Sequence, residues 1–109
     1  MAYDDGVAQR IRECLDGQEG IVEKEMFGGI AFMLNGNMCC GVVKDALMVR
    51  VGPDDYQAAL SLPHARKMDF TGKPLPGFVY VAPEGFEDDK DLEVWIGRCV
   101  AFANTLPPK

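Results

Sequence analysis

Basic residues are scarce in this sequence. Lysine and arginine number 11 against 17 aspartates and glutamates, a net charge of −6. That balance disfavours a nonspecific DNA or RNA binder, which needs cations to displace phosphate counterions. It leaves room for a small local basic patch. Histidine is reduced to His64, so a catalytic imidazole or a histidine-rich metal site has almost nothing to draw on. No uncharged apolar stretch approaches the ~18 residues of a membrane span. The acidic start, Met1-Ala2-Tyr3-Asp4-Asp5, lacks the basic-then-apolar order of a secretion signal. There is no C-x-x-C pair, no G-x-x-x-x-G-K-S/T phosphate loop, no internal repeat and no linker.

What is present suits one folded domain over residues 1–109, placed in the cytoplasm. Apolar residues make up 48% and charged residues 26%, ordinary for a globular chain. A chain of 12.0 kDa should expose ~6,000 Å² when folded and bury roughly two thirds of its unfolded surface. One core can then form without metal or disulfide staples. The cysteines are Cys14, Cys39, Cys40 and Cys99. Cys39 and Cys40 are adjacent, so strand alternation sends their side chains to opposite faces, a poor arrangement for one shared ion. The expectation is reduced core cysteines and no metal or cofactor. A redox nucleophile at Cys39 or Cys40 has no histidine or clear helix start beside it in sequence to lower the thiol pKa.

Val7, Ile11, Cys14 and Leu15 share one helical face between about Asp4 and Asp16. Asp4 or Asp5 serves as N-cap and Gly17 as C-cap. Val22-Glu23-Lys24-Glu25-Met26 alternates like a half-wet strand. Ile30 to Leu34, Met38 to Val43 and Leu47 to Val51 follow as strands, joined by tight turns at Asn35-Gly36-Asn37 and Lys44-Asp45-Ala46. Gly52-Pro53-Asp54-Asp55 starts a short helix, with Pro53 suited to the first helical position. Arg66 to Phe70 and Phe78 to Val81 read as strands, with Thr71 to Gly77 as a turn or loop between them. Leu92, Trp95, Ile96, Cys99, Val100 and Ala103 recur at helical spacing behind Asp88 and Asp89. The order is α-β-β-β-β-α-β-β-α, an α+β two-layer fold with terminal helices. Trp95 and Ile96 are expected on the sheet face of Leu47, Val49 and Val51.

Gly28-Gly29, inside an apolar strand region, has two readings. One is a bulge or positive-φ turn between strands; the other is a ligand or partner lying on bare backbone. His64, with Ser61, Arg66 and Lys67 near it, lacks an orienting acid in sequence. Asp54-Asp55 and Asp88-Asp89 sit at helix starts, where acids are expected for capping and dipole reasons.

The run Met26-Phe27-Gly28-Gly29-Ile30-Ala31-Phe32 with Asn35-Gly36 resembles the TfoX/Sxy N-terminal domain family. So do Cys40-Gly41-Val42, Leu47 to Val51, His64 to Phe70 and Gly77 to Val81. The resemblance implies a small α+β domain with a curved antiparallel sheet, similar to secretion-chaperone-like folds. It also implies regulation of natural competence together with a transcription factor, and it carries no catalytic residue set. The regulators that name the family have a second, helical domain; this chain ends at Lys109 and is read as a stand-alone N-terminal domain.

The resulting expectation is a non-enzymatic protein-interaction domain of the transcription or competence type, contacting a protein partner, with Met26, Phe27, Gly28, Gly29 and Arg50 as its candidate site. The alternatives are a small-ligand module or enzyme using Gly28-Gly29 with Arg50 or Cys40, and a direct nucleic-acid binder using Arg50, Arg66, Lys67 and Lys73. Apolar residues on both sheet faces point to a homodimer.

Overall fold

The structure, a computed structural model, describes residues 3–26, 28–70 and 73–107. Helix α1 spans Asp5–Cys14, and the Gly6 and Val7 amides donate to the Asp4 carboxylate at 2.8 and 3.2 Å. Asp4 is therefore the N-cap, satisfying amides that the first turn leaves orphaned. Four strands follow: β1 (Ile21–Met26), β2 (Gly29–Leu34), β3 (Asn37–Val43) and β4 (Ala46–Arg50). They form an antiparallel meander. Asn35 and Gly36 both have positive φ, 53° and 86°, the pairing that lets a two-residue turn match the twist of its strands.

The short helix α2 (Tyr56–Leu60) leads to β5 (Ala65–Phe70) and β6 (Lys73–Val81). The sheet order is β1-β2-β3-β4-β6-β5. The last strand in sequence thus inserts beside β4 and leaves β5 at the edge. A 3-10 turn at Pro83–Gly85 precedes α3 (Asp89–Ala103), whose N-cap Asp88 accepts from the Lys90 amide at 3.1 Å. The α+β class and the element order agree with the sequence reading.

Three local expectations change: Leu15 rather than Gly17 is the C-cap of α1, α2 starts at Tyr56 rather than at Pro53, and the end of the sheet is extended. Residues 73–77 belong to β6 rather than to a loop. The prolines at 74 and 76 argue against a strand with neighbours on both sides, because proline cannot donate to a ladder. Here β4 pairs only with Phe78–Val81, while Lys73 and Pro74 pair with β5 alone. One side of the strand is open at that end, so the missing N–H groups cost nothing there.

Ile30, Phe32, Leu34, Val42, Leu47, Val49, Val79 and Val81 form one face of the sheet. They pack with Val7, Ile11, Leu92, Trp95, Ile96 and Cys99 from α1 and α3 in the main core. Trp95 and Ile96 share that core with Leu47, Val49 and Val51, as expected. The opposite face carries Ala31, Ala46, Met48 and Tyr80, flanked by Met33, Met38, Val43 and Phe78.

Candidate interaction face and cysteine cluster

The residues singled out in the sequence do not converge. Phe27 lies outside the described residues, and Met26 is described by its backbone only. Gly28 has φ +74°, with open space where a side chain would stand. Gly29 is different: a Cβ there would run into the Val42 carbonyl oxygen on β3. The bare backbone at Gly29 is thus filled by the chain's own neighbouring strand, which supports the turn-and-close-approach reading of the pair. Arg50 sits at the other end of the sheet. Gly29 lies against Val42 and Val43 of β3, and Ala46, the β4 partner of Val43, is four residues before Arg50, or about 13 Å along an extended strand. The Arg50 guanidinium stands 5.4 Å from the Phe78 ring centre and 5.3 Å from that of Phe102, within the range of cation–π attraction.

The helix-free face of the sheet has a composition that a reading along the chain does not show. The register aligns Lys24, Ala31, Gly41, Met48, Tyr80 and Arg66 across six strands. A cation stands at each end of this row, with Ala31, Gly41, Met48 and Tyr80 between. Arg66 lies 5.1 Å from the Tyr80 ring centre. Beside the row sit half-buried Met33, Met38 and Phe78. Strand alternation sends Glu23 and Glu25 to the other face, where Glu23 pairs with Arg12 of α1 at 2.8 Å. Among the described side chains this face therefore holds Lys24 and Arg66, with Arg50 at its margin against Phe102 of α3, and no carboxylate. Of the cations considered for nucleic acid, Lys67 pairs with Val79 and lies on the opposite face; the Lys73 side chain is outside the described set.

A half-open cleft of about 350 Å³ lies elsewhere, lined by His64, Glu84, Asp91, Trp95 and Arg98 among others. His64 has φ +67°, costly for a non-glycine residue. Arg98 donates to Asp55 at 2.6 Å, and its Nε is buried without a partner among the described residues. Asp55 thus holds a cation from α3 besides preceding α2.

The alternation argument fails at Cys39 and Cys40. Phe32 pairs with Cys40 while Met33 pairs with Met38, so β3 carries one extra residue between them. A bulge places two successive side chains on nearly the same side. Cys39 and Cys40 both enter the main core, each 0% exposed, and Cys99 of α3 meets them there, also at 0%. The three sulfurs lie within 4.8 Å of one another, with Cys39 Sγ and Cys99 Sγ 3.1 Å apart. The Cys99 thiol donates to the Ile96 carbonyl at 3.1 Å. Hydrogen bonding from Cys40 first, and from Cys99 second, holds the Cys39 thiol below its ordinary value against the opposing effect of burial. Cys40 is pushed up chiefly by sharing its proton with Cys39, and Cys99 chiefly by burial. Nothing in Met38-Cys39-Cys40 announces a bulge, so the cluster was hidden from a reading by periodicity.

No curated protein and no solved structure matches the chain. The model of one family, the TfoX N-terminal domain, matches residues 13–103. That span runs from the end of α1 to the end of α3 and includes the whole sheet, the helix-free face and all three clustered cysteines. By that match over most of its length, the chain belongs to the TfoX N-terminal domain family.

Proposed function

We propose that this domain acts by contact rather than by catalysis, as a regulator that docks a protein partner on the helix-free face of its sheet. The partner's matching surface is acidic and apolar. The observation that carries this reading is the row from Lys24 to Arg66 with Met33, Met38 and Phe78 beside it: cations and adaptable sulfur side chains, with no carboxylate among the described side chains, on a chain of net charge −6. Methionine and aromatic side chains supply adaptable contact area, and cations at the margin set orientation and encounter rate. Family membership supports a role in competence-type or transcription regulation, exercised through a protein such as a transcription factor.

A photo-crosslinking side chain placed at Met38 tests this, with a control at Glu93 on the outer side of α3. Crosslinks to a distinct protein should form from Met38 and not from Glu93. Met33→Glu together with Arg66→Glu should cut their yield at least tenfold, about 1.4 kcal/mol of binding. Equal capture from both positions, or capture of nucleic acid alone, refutes the proposal. Capture of a second copy would replace the foreign partner with a homodimer.

A further inference from the structure

We propose that Cys39, Cys40 and Cys99 form a binding site for a soft monovalent cation of the Cu(I) class. Three buried sulfurs from two elements converge on one point, because the β3 bulge turns adjacent cysteines the same way and α3 brings the third. Trigonal coordination with metal–sulfur bonds of about 2.3 Å sets the sulfurs about 4 Å apart. All three separations lie within 4.8 Å, and the Cys39–Cys99 pair, at 3.1 Å, is closer than the trigonal spacing. Seating the ion requires Cys39 and Cys99 to part by about 1 Å.

The donor set selects the metal. Thiolates favour soft ions such as Cu(I). A structural zinc site wants four ligands, and among the described residues no fourth histidine, cysteine or carboxylate joins the group. The surroundings are apolar: Ile96 and the main core enclose the sulfurs. A low-coordinate monovalent ion fits such a place better than a divalent ion needing another donor. Uptake exchanges protons for metal. One Cu(I) bonded to two thiolates and the third thiol releases two protons and leaves one negative charge; no electron is transferred. The sulfurs are fully enclosed, so entry waits on local opening between β3 and α3 and is slow. The bound ion would tie the last helix to the middle of the sheet.

The test uses the reduced full-length chain without oxygen, with Cu(I) supplied from a colour-forming chelator. The expected result is one copper per chain and an X-ray absorption shell of sulfur alone, with three neighbours. Cys40→Ser and Cys99→Ala should each weaken retention more than ~100-fold. Cys14→Ser, outside the cluster, should leave it unchanged. Circular dichroism melting of each metal-free variant separates lost binding from lost folding, and Cys39→Ala provides another variant if Cys99→Ala unfolds. Copper left on the chelator by the folded wild-type chain overturns the proposal. So does retention that survives Cys40→Ser, or tighter holding of Zn(II) than of Cu(I). An intact mass short by two hydrogens, with peptide mapping that links Cys39 to Cys99, would show a disulfide in its place and overturn the proposal.

Discussion

Gly28 and Gly29 look interchangeable in sequence but do different jobs. At Gly28 the demand is conformational, with φ +74° and open space around it. Alanine there should cost about 1 kcal/mol, the usual penalty of a left-handed non-glycine residue. At Gly29 the demand is steric, because the Val42 carbonyl occupies the place of a Cβ. Gly29→Ala should cost distinctly more, about 3 kcal/mol, since backbone must move. Urea melts of the two variants decide this; equal midpoints would show that Gly29 is not pinned. The need for glycine was legible in Gly28-Gly29, while the division of labour depends on a strand thirteen or so positions away. The cysteines show the opposite case. Alternation predicts opposite faces for Cys39 and Cys40, and one inserted residue cancels it.

At the scale of elements, amphipathic spacing was a sound guide. The period of Leu92, Trp95, Ile96 and Cys99 located α3 and its buried stripe, and Asp88 marked where it starts. Trp95, 4% exposed in the main core, should cost roughly 3–5 kcal/mol when replaced by alanine. A denaturation midpoint that hardly moves would contradict the packing of α3 on the sheet. The tie between α1 and β1 is weaker. Arg12 donates to both Glu23 carboxylate oxygens at 2.8 Å, and this hydrogen bonding lowers the Glu23 pKa from 4.5. A carboxylate with a depressed folded-state pKa contributes above its unfolded value and loses that contribution as pH falls through the folded one. Both side chains are over a third exposed, so the pair is worth only ~0.2–1 kcal/mol. Arg12→Gln should therefore destabilise slightly at pH 7 and not at all at the acid end, as paired melts at the two pH values would read. The proline-bearing end of β6 was misread as loop because its open side is a property of the sheet order, not of the segment.

The whole molecule exposes 6025 Å², close to the ~6,000 Å² expected of a folded chain this size. No helix among the described residues is long and apolar enough to cross a membrane. Its charge is unevenly laid out, acidic overall, with Lys24 and Arg66 at the two ends of the helix-free face and Arg50 at its margin. Three cations on an acidic body give little phosphate neutralisation. Fluorescence anisotropy with duplex DNA or RNA should therefore show weak or no binding at ~0.15 M salt. Submicromolar binding that falls steeply with salt would promote the nucleic-acid reading over the protein one. Composition supplied the total charge but not its geography, because the register that aligns Lys24 with Arg66 joins residues from both halves of the sequence.

The placement of β6 between β4 and β5 also has a kinetic consequence. The meander from β1 to β4 closes through short turns, whereas β4 must wait for a strand made after α2 and β5 before its second side is paired. Loop closure over that distance is slow relative to hairpin formation. A time order follows, in which the first four strands assemble early and the β4–β6 seam forms late, with α3 docking last. Amides of β2 and β3 should gain protection from hydrogen exchange before the fluorescence of Trp95 reaches its native value. Between those two moments the face destined for α3 stands open to water, and the chain is then at its most prone to aggregate.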